Sequence, residues 1–137
     1  MNRQQAVREM FQLIQTAIGS LVTVINYPNR PETKPDASAA WARVQLIHVE
    51  AEQRSIVAVN QLYENEGNLI IQLFEPSGRG LAQDTLTQPM LSALRAKSTP
   101  GACWFRRVTS KENGISEHWH QTNVSCIFQY DSRENQP

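Results

Sequence analysis

No stretch of about 18 apolar residues occurs in this chain, so no membrane-spanning helix is expected. The opening residues MNRQQAVREMFQ hold no continuous apolar block, and no secretory leader is expected from them. Charge of one sign is also lacking: 13 basic residues are met by 13 acidic ones. A protein that grips nucleic acid by its phosphates shows a basic excess or a basic stripe, and neither stands out. Cysteine is scarce. Cys103 and Cys126 fit reduced thiols, with a single disulfide left open as the alternative. With 137 residues, one domain with one core is expected.

The patterns that are present point to α+β. Val7, Met10, Phe11, Ile14 and Ile18 recur at helical spacing, Asn2 and Gln5 form a capping-box pair, and Gly19 marks the stop. LVTVINY, residues 21–27, reads as a short strand. The Pro-rich segment 28–39 reads as a loop or arm. WARVQLIHV, residues 41–49, alternates, with Ala42, Val44, Leu46 and His48 on its drier face. NLIIQLFE, residues 68–75, is apolar on both faces, which predicts a central strand covered on both sides. A helix starting near Thr87 places Pro89 in its first turn, where proline is tolerated. Asn113-Gly114 predicts a two-residue hairpin turn. In that register Phe105 stands opposite Thr122, Arg107 opposite His120 and Val108 opposite Trp119. The expected architecture is a mostly antiparallel sheet packed against two main helices. It is a single domain over 1–131 with a flexible tail at 132–137.

Sites that carry chemistry were sought in turn. The loop after the central strand, EPSGRG, follows the strand–glycine–helix layout of a phosphate cradle. Gln83 stands where either phosphate fingerprint requires another residue, so the loop reads as a turn. His118 and His120 share a strand face, a weak candidate metal pair. The expected register sets Arg107 beside them and no carboxylate near them. Cys126 and His120 are six residues apart on one strand, about 20 Å, which rules out a nucleophile–base pair. Glu50, Glu52, Glu64, Glu66 and Glu75 read as solvated charges. Alternation puts Arg106 and Arg107 on opposite faces, so they form no nucleic-acid strip. No catalytic constellation and no cofactor site emerges, and the chain is not read as an enzyme.

Three stretches carry a family resemblance. WARVQLIHV resembles the Trp-x-Arg-Val strand after a Pro-rich loop in phage tail terminator-like proteins. EGNLIIQLFEPSGRG resembles that family's strand and Gly-x-Gly loop, and HWHQTNVSCIFQYD its closing strand. With the first helix, the resemblance spans nearly the whole chain, departing from the pattern at Pro89 and in EAEQRSIVAV. It implies a structural subunit of the virion tail, assembled in the bacterial host cytoplasm. Copies of the chain would form a ring, typically of six, on the head-proximal end of the tail tube. The ring would stop tube polymerisation and offer the surface for joining the head. The partners implied are the chain itself, the tail tube protein and the head–tail connector, with DNA only passing through. A head–tail joining or neck protein of similar fold is the alternative, and a small ligand- or metal-binding module the more distant one. A cyclic ring needs a heterologous side contact. The candidate interface residues are Trp41 and Arg43 on one strand face, Arg106 and Trp119 on the outer face of the hairpin, and Arg79 in the glycine loop. The Pro-rich arm and the region 50–66 are expected to order on assembly.

Overall fold

A computed structural model describes residues 2–31, 39–53, 61–76, 85–97, 102–116 and 119–134. The elements run α1 (Arg3–Ile18), β1 (Val24–Asn26), β2 (Trp41–Gln53), β3 (Gln61–Pro76), α2 (Thr87–Arg95), β4 (Trp104–Ser116) and β5 (Trp119–Glu134). The chain is therefore α+β. Its five-stranded sheet has the order β1-β2-β3-β5-β4, with β1 parallel to β2 and the other three pairings antiparallel.

α1 forms where its local signals place it. The Asn2 side chain accepts from Gln5 N–H, and the Gln5 side chain accepts from Asn2 N–H, each at 2.8 Å. Two N–H groups without helical partners are thereby satisfied. Ala6, Met10, Ile14 and Ile18 are its fully buried face. Val7 and Phe11 lie at the margin, where Phe11 packs on Tyr27. Gly19 ends the helix in ordinary right-handed geometry (φ −58°), not as a left-handed cap.

The core lies between the helices and one sheet face. Ala42 and Val44 of β2, Leu69, Ile71 and Leu73 of β3, and Val124, Cys126, Phe128 and Tyr130 of β5 supply the sheet side. Met10 and Ile14 of α1 and Met90 and Leu94 of α2 supply the helix side. β3 is central, as expected, but its second face is covered only in part. Phe74 is buried there while Ile70 stays half-exposed.

Several expectations are corrected. β1 is shorter than residues 21–27. The region 50–66 is strand on both described sides, with Glu50 paired to Glu66 and Gln53 to Tyr63. Residues 32–38 and 54–60 lie outside the described residues. β5 runs beyond residue 131, and Ser132 is buried opposite Tyr63, so the domain extends to Glu134.

The hairpin register also differs. Phe105 stands opposite Phe128, Ser110 opposite Val124 and Ile115 opposite His120. Asn113-Gly114 is not the turn but an irregularity inside β4, with Gly114 at φ +83°. A second irregularity lies between Arg106 and Thr109, where Arg107 takes φ +53°. The physical reason is long-range. Pairing with β3 fixes β5 along its whole length, and the turn signal is absorbed as a bulge.

Candidate functional site

The side of the sheet away from the helices carries the residues of interest. On it, Trp41 pairs with Phe74 across β2 and β3. Their rings stack at 4.1 Å and 8°, and Trp119 of β5 meets Trp41 edge-on at 6.1 Å. The Arg43 guanidinium lies over both stacked rings, 5.3 Å from Trp41 and 5.6 Å from Phe74. Arg43 also donates to Gln72 Oε1 at 3.3 Å. Alternation explains the grouping, because residues i and i+2 share a face and paired strands set them side by side.

Three of the five sequence candidates, Trp41, Arg43 and Trp119, thus converge. Trp41 is not the exposed contact expected of it, since only 7% of its surface is accessible. Stacking on Phe74 removes it from water. Arg106 lies on the same face as Trp119, but its partner Ile127 stands eight residues along β5, about 27 Å away. Arg106 is instead ion-paired with Glu66. Arg79 lies outside the described residues.

Towards the Arg106 end, the same face holds a shallow trough of about 380 Å³ lined by Ile47, Asn68, Ile70, Arg107 and Ile127 among others. A hollow of about 230 Å³ continues it along Val49 and Glu66. Ile47 is 56% exposed and Val49 62%. These aliphatic side chains lie side by side and are only partly packed. The alternation of WARVQLIHV showed which residues face this way; that no helix among the described residues covers them was not legible from it.

The histidine pair resolves differently from its sequence reading. His118 lies outside the described residues. His120 is buried on the helix-bearing face, and its Nε2 lies 3.0 Å from Glu112 Oε1. The carboxylate excluded on the expected register is therefore present, and Arg107 is elsewhere, because the closing pair of the hairpin is Ser116–Trp119 and not Glu112–Ile115, which slides β4 eight positions along His120. His120 Nδ1 is buried without a hydrogen-bond partner. Among the described residues no group of three or more His, Cys, Asp or Glu side chains is placed to hold a metal ion.

Glu75, read from sequence as a solvated charge, is 3% exposed. It accepts from Leu86 N–H at 3.2 Å and from Thr85 Oγ1 at 3.3 Å. Sequence reasoning missed it because the groups it serves lie ten and eleven residues on, beyond the EPSGRG loop.

Cys103 and Cys126 are free and buried. Burial pushes both thiols up to about 12, helped at Cys103 by Glu9 and at Cys126 by Cys103. Neither is a nucleophile at neutral pH, since the thiolate is the reactive form.

On the helix side, His48 Nε2 and Tyr130 Oη lie 2.7 Å apart. Burial, with Arg3 nearby, lowers the His48 pKa, and burial raises that of Tyr130. A neutral imidazole accepting from a neutral phenol fits both shifts.

A further groove of about 510 Å³ runs beside α1, between Arg8, Phe11 and Gln15 on one side and Tyr27 and Arg30 on the other. No helix among the described residues is long and apolar enough to cross a membrane.

No family model matches the chain, and no curated protein matches it. Solved structures do: 21 chains match. One aligns over 100% of this chain and 99% of its own length, at 15% identity and a TM-score of 0.58. At that identity the likeness is one of fold, and it covers the α+β domain from end to end.

Proposed function

We propose that this chain is a structural subunit of the phage tail-terminator type. Copies form a ring, six in number, on the head-proximal end of the tail tube, where the ring halts tube growth and presents the surface that joins the head. The observation that carries the reading is the sheet face over which no helix lies among the described residues. It exposes grouped aliphatic side chains at Ile47 and Val49 beside an aromatic cluster under Arg43. A subunit that meets other protein copies needs such a surface, and the task needs no reacting group. The WARVQLIHV and HWHQTNVSCIFQYD stretches that resemble the family supply the strands of this face.

The test is mass measurement in solution over a wide concentration range, alone and with purified tail tubes. Ring-sized particles, or a ring's worth of copies bound per tube end, are expected. Strict monomers that never bind tube ends would contradict the proposal. Binding to head connectors without any binding to tubes would favour the neck-protein reading instead.

A further inference from the structure

Large aliphatic side chains are strongly exposed at two distant places on the sheet. The first is the trough at Ile47 with the adjoining hollow at Val49, on the helix-free face. The second is Ile115 near the C-terminal end of β4, 65% exposed. Ile115 pairs with His120, so it lies on the helix-bearing face. Ile127 marks the row of Ile47, and seven residues along β5 separate it from His120, about 24 Å. The two patches thus sit at opposite ends and on opposite faces of one sheet.

Their charges are also unlike. Arg107 lines the trough, whereas Glu112, 73% exposed although one of its oxygens lies 3.0 Å from His120 Nε2, shares the face of Ile115. Laid trough to trough, two copies would oppose Arg107 to Arg107 and leave Ile115 in water. Laid tip to trough, they bring isoleucine onto Ile47, Ile70 and Ile127, and Glu112 towards Arg107. Unlike patches that complement each other across copies make a heterologous contact, which propagates to a closed ring or an open filament.

We infer that the Ile115 tip of one copy seats in the Ile47–Ile127 trough of the next, head to tail. This rests on the ring proposal and names the surfaces that close the ring. The exposed charge pair adds little strength and sets orientation. Burial of the aliphatic side chains supplies the attraction.

The test uses Ile47→Asp and Ile115→Asp, each alone and as an equimolar mixture, followed by analytical ultracentrifugation beside the wild type. Thermal melts check folding, and both positions are exposed enough that the melts should match wild type. Each variant alone should lose self-association by roughly ten- to a hundredfold. The mixture should form a heterodimer and stop there, because one intact trough and one intact tip remain. Wild-type rings with both variants still assembling would overturn this placement and leave the ring proposal standing. A wild type that never assembles, with or without tubes, would overturn both. A mixture that stays monomeric, or a variant that dimerises with itself, would refute the head-to-tail pairing. As a second measurement, Ile47→Cys and Ile115→Cys subunits mixed under oxidation should give one cross-linked dimer. Cys103 and Cys126 are buried and protonated and should stay silent. Absence of that cross-link in an assembling pair would again refute the placement.

Discussion

Gly67 shows how one position constrains the core. It lies between His48 and Phe128 across three strands. A Cβ there would meet the Ile47 carbonyl oxygen at 2.1 Å and the Phe128 ring at 2.5 Å. The backbone contact cannot swing away, so Gly67→Ala is an overpacking change. It should cost about 3 kcal/mol, read as a lower urea midpoint at unchanged slope. His48, beside it, supplies a pH signature. Its pKa is lowered in the folded state, so the unfolded chain binds the proton first as pH falls. Stability is full above the unfolded histidine value of about 6.5 and declines as pH drops below it. His48→Gln should flatten that decline in denaturation midpoints taken from pH 8 to pH 5. Neither residue announces its role in sequence. Gly67 has no side chain to mark a face, and only the close approach of the Ile47 carbonyl and of Phe128 from β5 explains it.

The two helices differ in how they are started. Asn2 and Gln5 cap α1 from within its own sequence, which made the boundary legible. Pro89 likewise placed the start of α2 at Thr87, because proline fits only the first turn. The cap of α2 was not legible. Leu86 offers no side-chain bond, and Glu75 reaches over from the end of β3 to bind its N–H. Glu75→Ala would strand the buried Leu86 N–H and should cost about 1–3 kcal/mol in chemical denaturation. Glu75→Gln keeps one acceptor oxygen and should lose less. An equal loss in both would assign the effect to charge and not to hydrogen bonding. The strands of the hairpin teach the same lesson. A register shifted by an even step leaves the same side chains on the same face, so alternation alone does not separate the registers. Phe105 kept its buried face while its partner changed from Thr122 to Phe128. Between the bulges the step is odd, so Thr109 moves to the helix-free face opposite Ser125.

At the scale of the molecule, α+β, the central β3 and a mostly antiparallel sheet with a closing hairpin were legible in sequence, whereas the pairing of β3 with β5 was not. Nor was the parallel β1–β2 pair, although its cause lies in plain view. Parallel neighbours need a long crossover of a dozen or more residues, and the Pro-rich stretch supplies the length. The interface candidates were legible as faces and not as surfaces. Trp41 and Trp119 share a side with Arg43, yet the tryptophan packs under its neighbours and the exposed area lies further along, at Ile47 and Val49. These aliphatics were visible in WARVQLIHV as one side of an alternating strand. Only the placement of both helices on the opposite face leaves them open. The function proposed for this chain is to end tail-tube growth. Its most direct test is the length distribution of tails assembled with and without the protein, measured by electron microscopy. Without it, tails should be long, variable and headless, and adding it back should restore one length with a ring at one end. Tails of one normal length in its absence would contradict the account.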